Sequence, residues 1–189
     1  ICFMTILLHA PAMAAPPTAP EGYRWIPNKK FTDEFDGDKL DASKWFDHHP
    51  RWKGRPPAMF LPENVSVEDG KLLLKNCMLP EPKGEYTIGG GAIVSKSNEA
   101  LYGYYEVSMK ASSISMSSTF WFSNISETDD PLKASQELDV QEAVGGGKRH
   151  PERKDFMKSN THYWYRQDGE KAKKSVPGDA SITPPANEA

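Results

Sequence analysis

Cysteine is nearly missing from this chain of 189 residues, which holds two, Cys2 and Cys77. Cys2 falls in an apolar leader expected to be removed, which leaves Cys77 alone. That excludes a disulfide framework and a zinc site built from cysteines. An excess of positive charge is missing too. The chain carries 23 Lys and Arg against 26 Asp and Glu, a net charge of −3, and this excludes a generic basic nucleic-acid binder. No stretch is apolar for long enough to cross a membrane as a helix. No run of a dozen residues keeps a helical period between caps, and nothing repeats at a fixed spacing. His48, His49, His150 and His162 show no metal-ligand spacing.

What is present suits a globular β protein. Hydrophobic residues make up 38%, and the 14 Gly bring the total to about 45%, enough for a core. Sixteen Pro and an aromatic content of 11% favour strands and loops over helices. The front of the chain, ICFMTILLHAPAMAAPPTAP, reads as a secretory signal. Ile1 to Leu8 is the apolar stretch, and Ala12 and Ala14 are the small residues of a cleavage site, with Ala15 as the mature start. A charged n-region and an initiator Met are missing, so residues 1–14 are expected to be a clipped signal peptide and 15–189 the mature domain. Export predicts a secreted, periplasmic or cell-surface location. The last residues, KAKKSVPGDASITPPANEA, are polar with three prolines and read as a loop or tail.

Alternation dominates between these ends. Asn64 to Glu68 and Lys71 to Lys75 flank Asp69-Gly70, the signature of a hairpin. Gly89, Gly90 and Gly91 predict a flexible corner leading into the strand Ala92 to Lys96. Further strands are expected over Tyr102 to Ala111, Ser118 to Ser123, Glu137 to Val144 and Thr161 to Arg166. The fold expected is all-β, a sandwich.

One of these strands carries chemistry. The run ELDVQE places Glu137, Asp139 and Glu142 within six residues, with Leu138 and Val140 as apolar partners. Side chains alternate along a strand, so Glu137 and Asp139 share a face and Glu142 points the other way. A single-residue bulge between Asp139 and Glu142 returns the third carboxylate to the first face. Two glutamates leaning together then reach the separation of about 5 Å at which retaining glycosidases work. One must be ionised to attack an anomeric carbon, and the other must hold a proton for the leaving oxygen. Neighbouring like charges push such pKa values apart. The plain alternative is a solvated acidic strand face.

The surroundings favour the chemical reading. Phe31 to Gly37 with Leu40 to Trp45, Gly90 to Lys96, Tyr102 to Val107, Thr119 to Trp121 and the ELDVQE run resemble, in order, the motifs of glycoside hydrolase family 16. The resemblance implies a β-jelly-roll of two antiparallel sheets with a groove on the concave face. It implies Glu137 as nucleophile, Asp139 as its helper and Glu142 as acid/base, with no cofactor. A jelly-roll of this family usually needs well over 200 residues, so a chain cut before its last strands is expected.

Within the family, the RWKGRPP segment at Arg51 to Pro57 is similar to members that cut red-algal galactans, the porphyranase and agarase group. Trp52 and Trp121 are candidate sugar platforms, and the alternative for each is core packing. Arg55 suits a bidentate pair with a sulfate ester, and its alternative is a loop-bracing arginine. His162 and Tyr163 are candidate groove contacts. From Lys148 to Lys174 there are nine Lys and Arg against four Asp and Glu, which suits an anionic polymer or simply a solvated loop. The expected activity is a retaining endo-hydrolysis of β-1,4-galactosidic bonds in a galactan, sulfated porphyran first, neutral agarose or κ-carrageenan next. A monomer without nucleic-acid or membrane partners is expected. A jelly-roll lectin is the non-enzymatic alternative, and it has no need of two glutamates flanking an aspartate. A metal-dependent lyase or phosphatase is a third and lacks nearby histidine ligands.

Overall fold

A computed structural model of the chain describes residues 15–124, 135–148, 151–155, 157–167 and 170–176. The expected signal peptide at 1–14, His150, and the tail from Pro177 onward lie outside the described residues. The chain divides into two compact units, 1–104 and 105–189.

In the first unit, β1 (Trp45–Phe46) pairs antiparallel with β7 (Val94–Ser95). A three-stranded sheet has the order β2 (Ala58–Phe60), β6 (Tyr86–Gly90), β5 (Asn76–Lys83), with β2 parallel to β6 and β5 antiparallel to it. The expected hairpin is there, as β3 (Val65–Glu68) and β4 (Lys71–Leu74). Asp69 and Gly70 both take positive φ, 51° and 69°, the condition for the tight turn whose twist matches the strands. The Gly-Gly-Gly segment is not a flexible corner. A Cβ on Gly89 would lie 2.9 Å from Leu61 Cδ1, and one on Gly91 would lie 2.5 Å from the Asn64 carbonyl oxygen. These glycines are there for close approach of the chain.

Asn64 ties this unit together. Its buried side-chain amide donates to the carbonyl oxygens of Lys75 at 3.0 Å and Gly89 at 3.1 Å, joining the hairpin to β6. Main-chain bonds reinforce the knot, since Lys75 N–H donates to Asn64 O at 2.8 Å and Gly91 N–H to Lys75 O at 2.9 Å.

The second unit is one antiparallel sheet in the order β11 (Glu170–Val176), β10 (Met157–Gln167), β9 (Ser135–Val144), β8 (Ser117–Ser123). β9 therefore lies inside the sheet, hydrogen-bonded on both sides.

Two further expectations change, and one unexpected strand forms. Tyr102 to Ala111 alternates but forms no strand, and residues 101–108 are exposed. Alternation supplies a face, whereas a strand also needs a ladder partner, and none pairs with it among the described residues. β5 forms despite Pro80 and Pro82 because it lies at a sheet edge, where prolines leave no inward donor missing; its register with β6 breaks between Met78 and Lys83. The segment read as a polar tail contributes β11, which pairs with β10 from Thr161↔Val176 to Gln167↔Glu170.

Asn64→Ala removes the donor to the buried Gly89 carbonyl and to the part-buried Lys75 carbonyl. We expect a loss of about 2–4 kcal/mol in chemical denaturation with an unchanged m-value. A loss below about 0.5 kcal/mol would show that water replaces the amide at no penalty.

Candidate active site

The pairing of β9 with both neighbours fixes where its carboxylates go. On one side Trp121 faces Asp139 while the preceding Phe120 faces Gln141, so Val140 has no partner on β8. On the other side Asn160 faces Asp139 and Lys158 faces Glu142, so Val140 and Gln141 together oppose Ser159. This is a one-residue bulge at the expected place. The Ser159 hydroxyl donates to the Asp139 carbonyl oxygen at 3.0 Å beside the irregularity.

The bulge brings Glu137, Asp139 and Glu142 to one face. The cross-strand partners complete three rows: Ser123, Glu137 and His162; Trp121, Asp139 and Asn160; Thr119, Glu142 and Lys158. The Ser117 hydroxyl donates to Glu142 Oε1 at 3.3 Å and pairs with the Thr119 hydroxyl at 2.5 Å. His162 Nε2 lies 3.5 Å from Asp139 Oδ2 and 3.8 Å from Glu137 Oε1. Asn160 Nδ2 donates to the same ring nitrogen at 3.0 Å.

Asp139 is buried and Glu137 and Glu142 are half-buried. Burial pushes the Asp139 carboxyl above the usual aspartate range, the Glu142 charge adds to the rise, and His162 works against it. A carboxyl that keeps its proton to higher pH is a hydrogen-bond donor for a neighbouring carboxylate. Oxygens of Glu137 and Asp139 lie within 4.8 Å of each other and of His162 Nε2, so the same three side chains form a metal-capable set.

The other face of the sheet is aromatic. Phe120 meets Phe122 edge-on at 5.2 Å, and Phe122 meets Tyr105 at 4.9 Å. Tyr163 pairs with Gln136, one position on from His162, and stacks against Tyr165 at 5.4 Å. Tyr163 therefore lies on the face away from the acids, because neighbours on a strand point opposite ways. Trp121 and His162 lie on the acid face.

Trp52 and Arg55 belong to the first unit. Trp52 is 39% exposed, with its ring edge-on to Phe60 at 5.2 Å and to His49 at 5.8 Å. His49 Nδ1 accepts the Trp52 N–H at 3.0 Å, and burial, with the Arg51 charge, lowers the His49 pKa. Arg55 is exposed on a tight turn where Gly54 has φ 118° and a Cβ there would lie 2.6 Å from the Ala58 carbonyl oxygen.

Sequence reasoning missed Ser117, Thr119, Asn160 and Trp164. The last two sit at the even positions of β10 that His162 defines, and the Trp164 ring lies 5.4 Å from His162. That alternation was the available signal.

Residues 25–189 match the family model described as beta-porphyranase A–D, GH16 domain. A beta-porphyranase E from Zobellia galactanivorans is 52% identical over 173 residues, 90% of this chain and 62% of that protein. A beta-porphyranase B from Phocaeicola plebeius is 44% identical over 178 residues, 82% of this chain and 56% of that protein. The crystal structure of a beta-porphyranase from the human gut bacterium Bacteroides plebeius superposes with a TM-score of 0.78 at 40% identity, covering 91% of this chain and 67% of that one. The all-β jelly-roll fold is thereby shown. The chain spans about three-fifths of the length of the two curated relatives.

The raised Asp139 pKa has a definite sign. A carboxyl whose folded pKa exceeds its unfolded value adds stability below the unfolded value and loses it as pH rises through the folded one. Asp139→Asn should therefore raise the melting temperature at pH 7 and show no advantage below about pH 4. Melting curves across pH check this, and an Asn variant equally stabilised at both ends would rule out the titration.

Proposed function

The chain belongs to the beta-porphyranase A–D group of glycoside hydrolase family 16, and we propose that it carries the acid machinery of a retaining endo-hydrolase of porphyran. The observation that carries this reading is the bulged strand β9, which sets three carboxylates on one face of the sheet. Its relatives named beta-porphyranase supply the substrate class.

In this reading Glu137 is the ionised nucleophile. It attacks C1 of the β-linked galactose while Glu142 gives its proton to the departing O4, so the C1–O4 bond breaks as the C1–Oε bond forms. Glu142, now a carboxylate, takes a proton from water. The hydroxide displaces Glu137 from C1, and two inversions give net retention. Ser117 steadies the Glu142 carboxylate through its hydroxyl. Asp139, on the same face with an oxygen within 4.8 Å of one on Glu137, is the helper that orients the nucleophile. Trp121, beside Asp139 in the register, offers a ring to the apolar face of a sugar.

Substrate choice rests on Trp52 and Arg55 and on the basic run after β9. The repeat of porphyran carries a 6-sulfate on its α-linked galactose, and a guanidinium pairs with a sulfate ester through two charge-assisted bonds. The protein acts outside the cytoplasm in this reading, as a monomer on an external polysaccharide.

Two measurements on the full-length protein test the reading. Glu137→Gln should lower turnover of porphyran more than about 1000-fold with the fold intact. Glu142→Ala should regain activity with azide on an activated substrate, giving a product of retained configuration. An inverted product by NMR would end the two-step scheme. For the substrate, reducing ends released from porphyran should exceed those from agarose. Arg55→Ala should cut kcat/KM on porphyran about 10- to 100-fold and leave neutral agarose unchanged. Equal losses on both polymers would remove the sulfate role of Arg55.

A further inference from the structure

We propose that Glu137, Asp139 and His162 form a binding site for one divalent transition-metal ion of the zinc type, and that the ion shuts off the site reversibly. The three donors come from two adjacent strands, with His162 directly opposite Glu137 in the register. Nε2 of His162 lies 3.5 Å from Asp139 Oδ2 and 3.8 Å from Glu137 Oε1, and all three donor atoms lie within 4.8 Å of one another. Tetrahedral zinc with bonds of about 2.0–2.1 Å needs donors about 3.4 Å apart. Small side-chain rotations close the set. Three protein donors leave the fourth position to water.

The ring nitrogen is presented in the correct form. Asn160 Oδ1 accepts the Thr161 N–H at 2.9 Å, so the amide turns its NH2 towards His162 and donates to Nε2 at 3.0 Å. That bond makes Nε2 an acceptor, which puts the ring proton on Nδ1. An imidazole lone pair and two carboxylate oxygens thus converge, and a divalent ion has only to displace the Asn160 amide. One imidazole with two carboxylates suits zinc, copper or nickel, whereas magnesium prefers oxygen ligands and keeps its water. The geometry was hidden from a reading of histidine spacing along the chain, because the ligands are neighbours across strands.

The ion would occupy the nucleophile and the carboxyl beside it. Inhibition rests on the hydrolase reading above, whereas binding does not.

Titration calorimetry of the full-length protein with zinc chloride at pH 7 should show one site. Glu137→Gln and His162→Gln, both close in shape to the native residues, should each weaken it at least tenfold with melting behaviour retained. Magnesium chloride at equal concentration should give no comparable heat. On wild type, zinc should inhibit porphyran hydrolysis competitively, and EDTA should restore it. Zinc binding that is absent, or unchanged in both variants, overturns the site. Binding at the site without any galactan hydrolysis by the metal-free protein leaves the site standing and overturns the proposed function instead. Hydrolysis unaffected by saturating zinc overturns the inhibitory role.

Discussion

A single unpaired residue, Val140, governs the arrangement of everything chemical in this chain. Strand side chains have a period of two, so a slip of one residue moves a side chain to the opposite face. Without the bulge, Glu142 would point to the side of Phe120, Phe122 and Tyr163, where a carboxylate finds aromatic rings. With it, Glu142 meets Ser117 and faces Thr119 and Lys158 in the register. β9 is internal to its sheet, so the irregularity is held by ladders on both sides and cannot relax by fraying. The Ser159 hydroxyl bonded to the Asp139 carbonyl gives the disturbed stretch a polar contact beyond the ladder.

The face so formed works against its own stability. Asp139 is buried between a second carboxylate and a histidine, and burial raises its pKa. A folded protein that only had to be stable would replace this carboxyl with a neutral group. Keeping it makes sense if the carboxyl is needed beside Glu137. Strain and like-charge crowding concentrate at sites where chemistry needs them. The first unit, by contrast, satisfies its buried polar groups: the Asn64 amide spends its donors on main-chain oxygens, and no charged group is buried with it among the described residues.

Much of this was legible in the sequence, and the exceptions follow from where the information lies. The Asp69-Gly70 turn and the aromatic strand β8 are local, each set by residues within a few positions, and the spacing of the acids in ELDVQE points to the bulge that the ladders on both sides then hold. β5 was hidden because Pro80 and Pro82 argue against a strand, while the permissive fact, its place at a sheet edge, is a property of the assembled sheet. Tyr102 to Ala111 failed in the opposite way, with strong alternation but no ladder. β11 is lysine-rich and polar, and it forms because β10 offers it an edge. The sequence points to Trp52 and Trp121 as sugar platforms and to Arg55 as a sulfate partner. Trp121 lies on the acid face, and Trp52 packs edge-on against Phe60 while remaining partly exposed.

The least legible feature is also the most consequential for the acids. Nothing in the run of residues from Glu142 to His162 says that the ring will stand opposite Glu137, since that follows from the length of the β9–β10 connection and the β10 register. Once placed, the ring is not a free base. The Thr161 N–H fixes the Asn160 amide, and the amide fixes the ring nitrogen as an acceptor. The orientation of the ring is set by a side chain two residues away. Asn160 thus orients the ring that faces both Asp139 and Glu137.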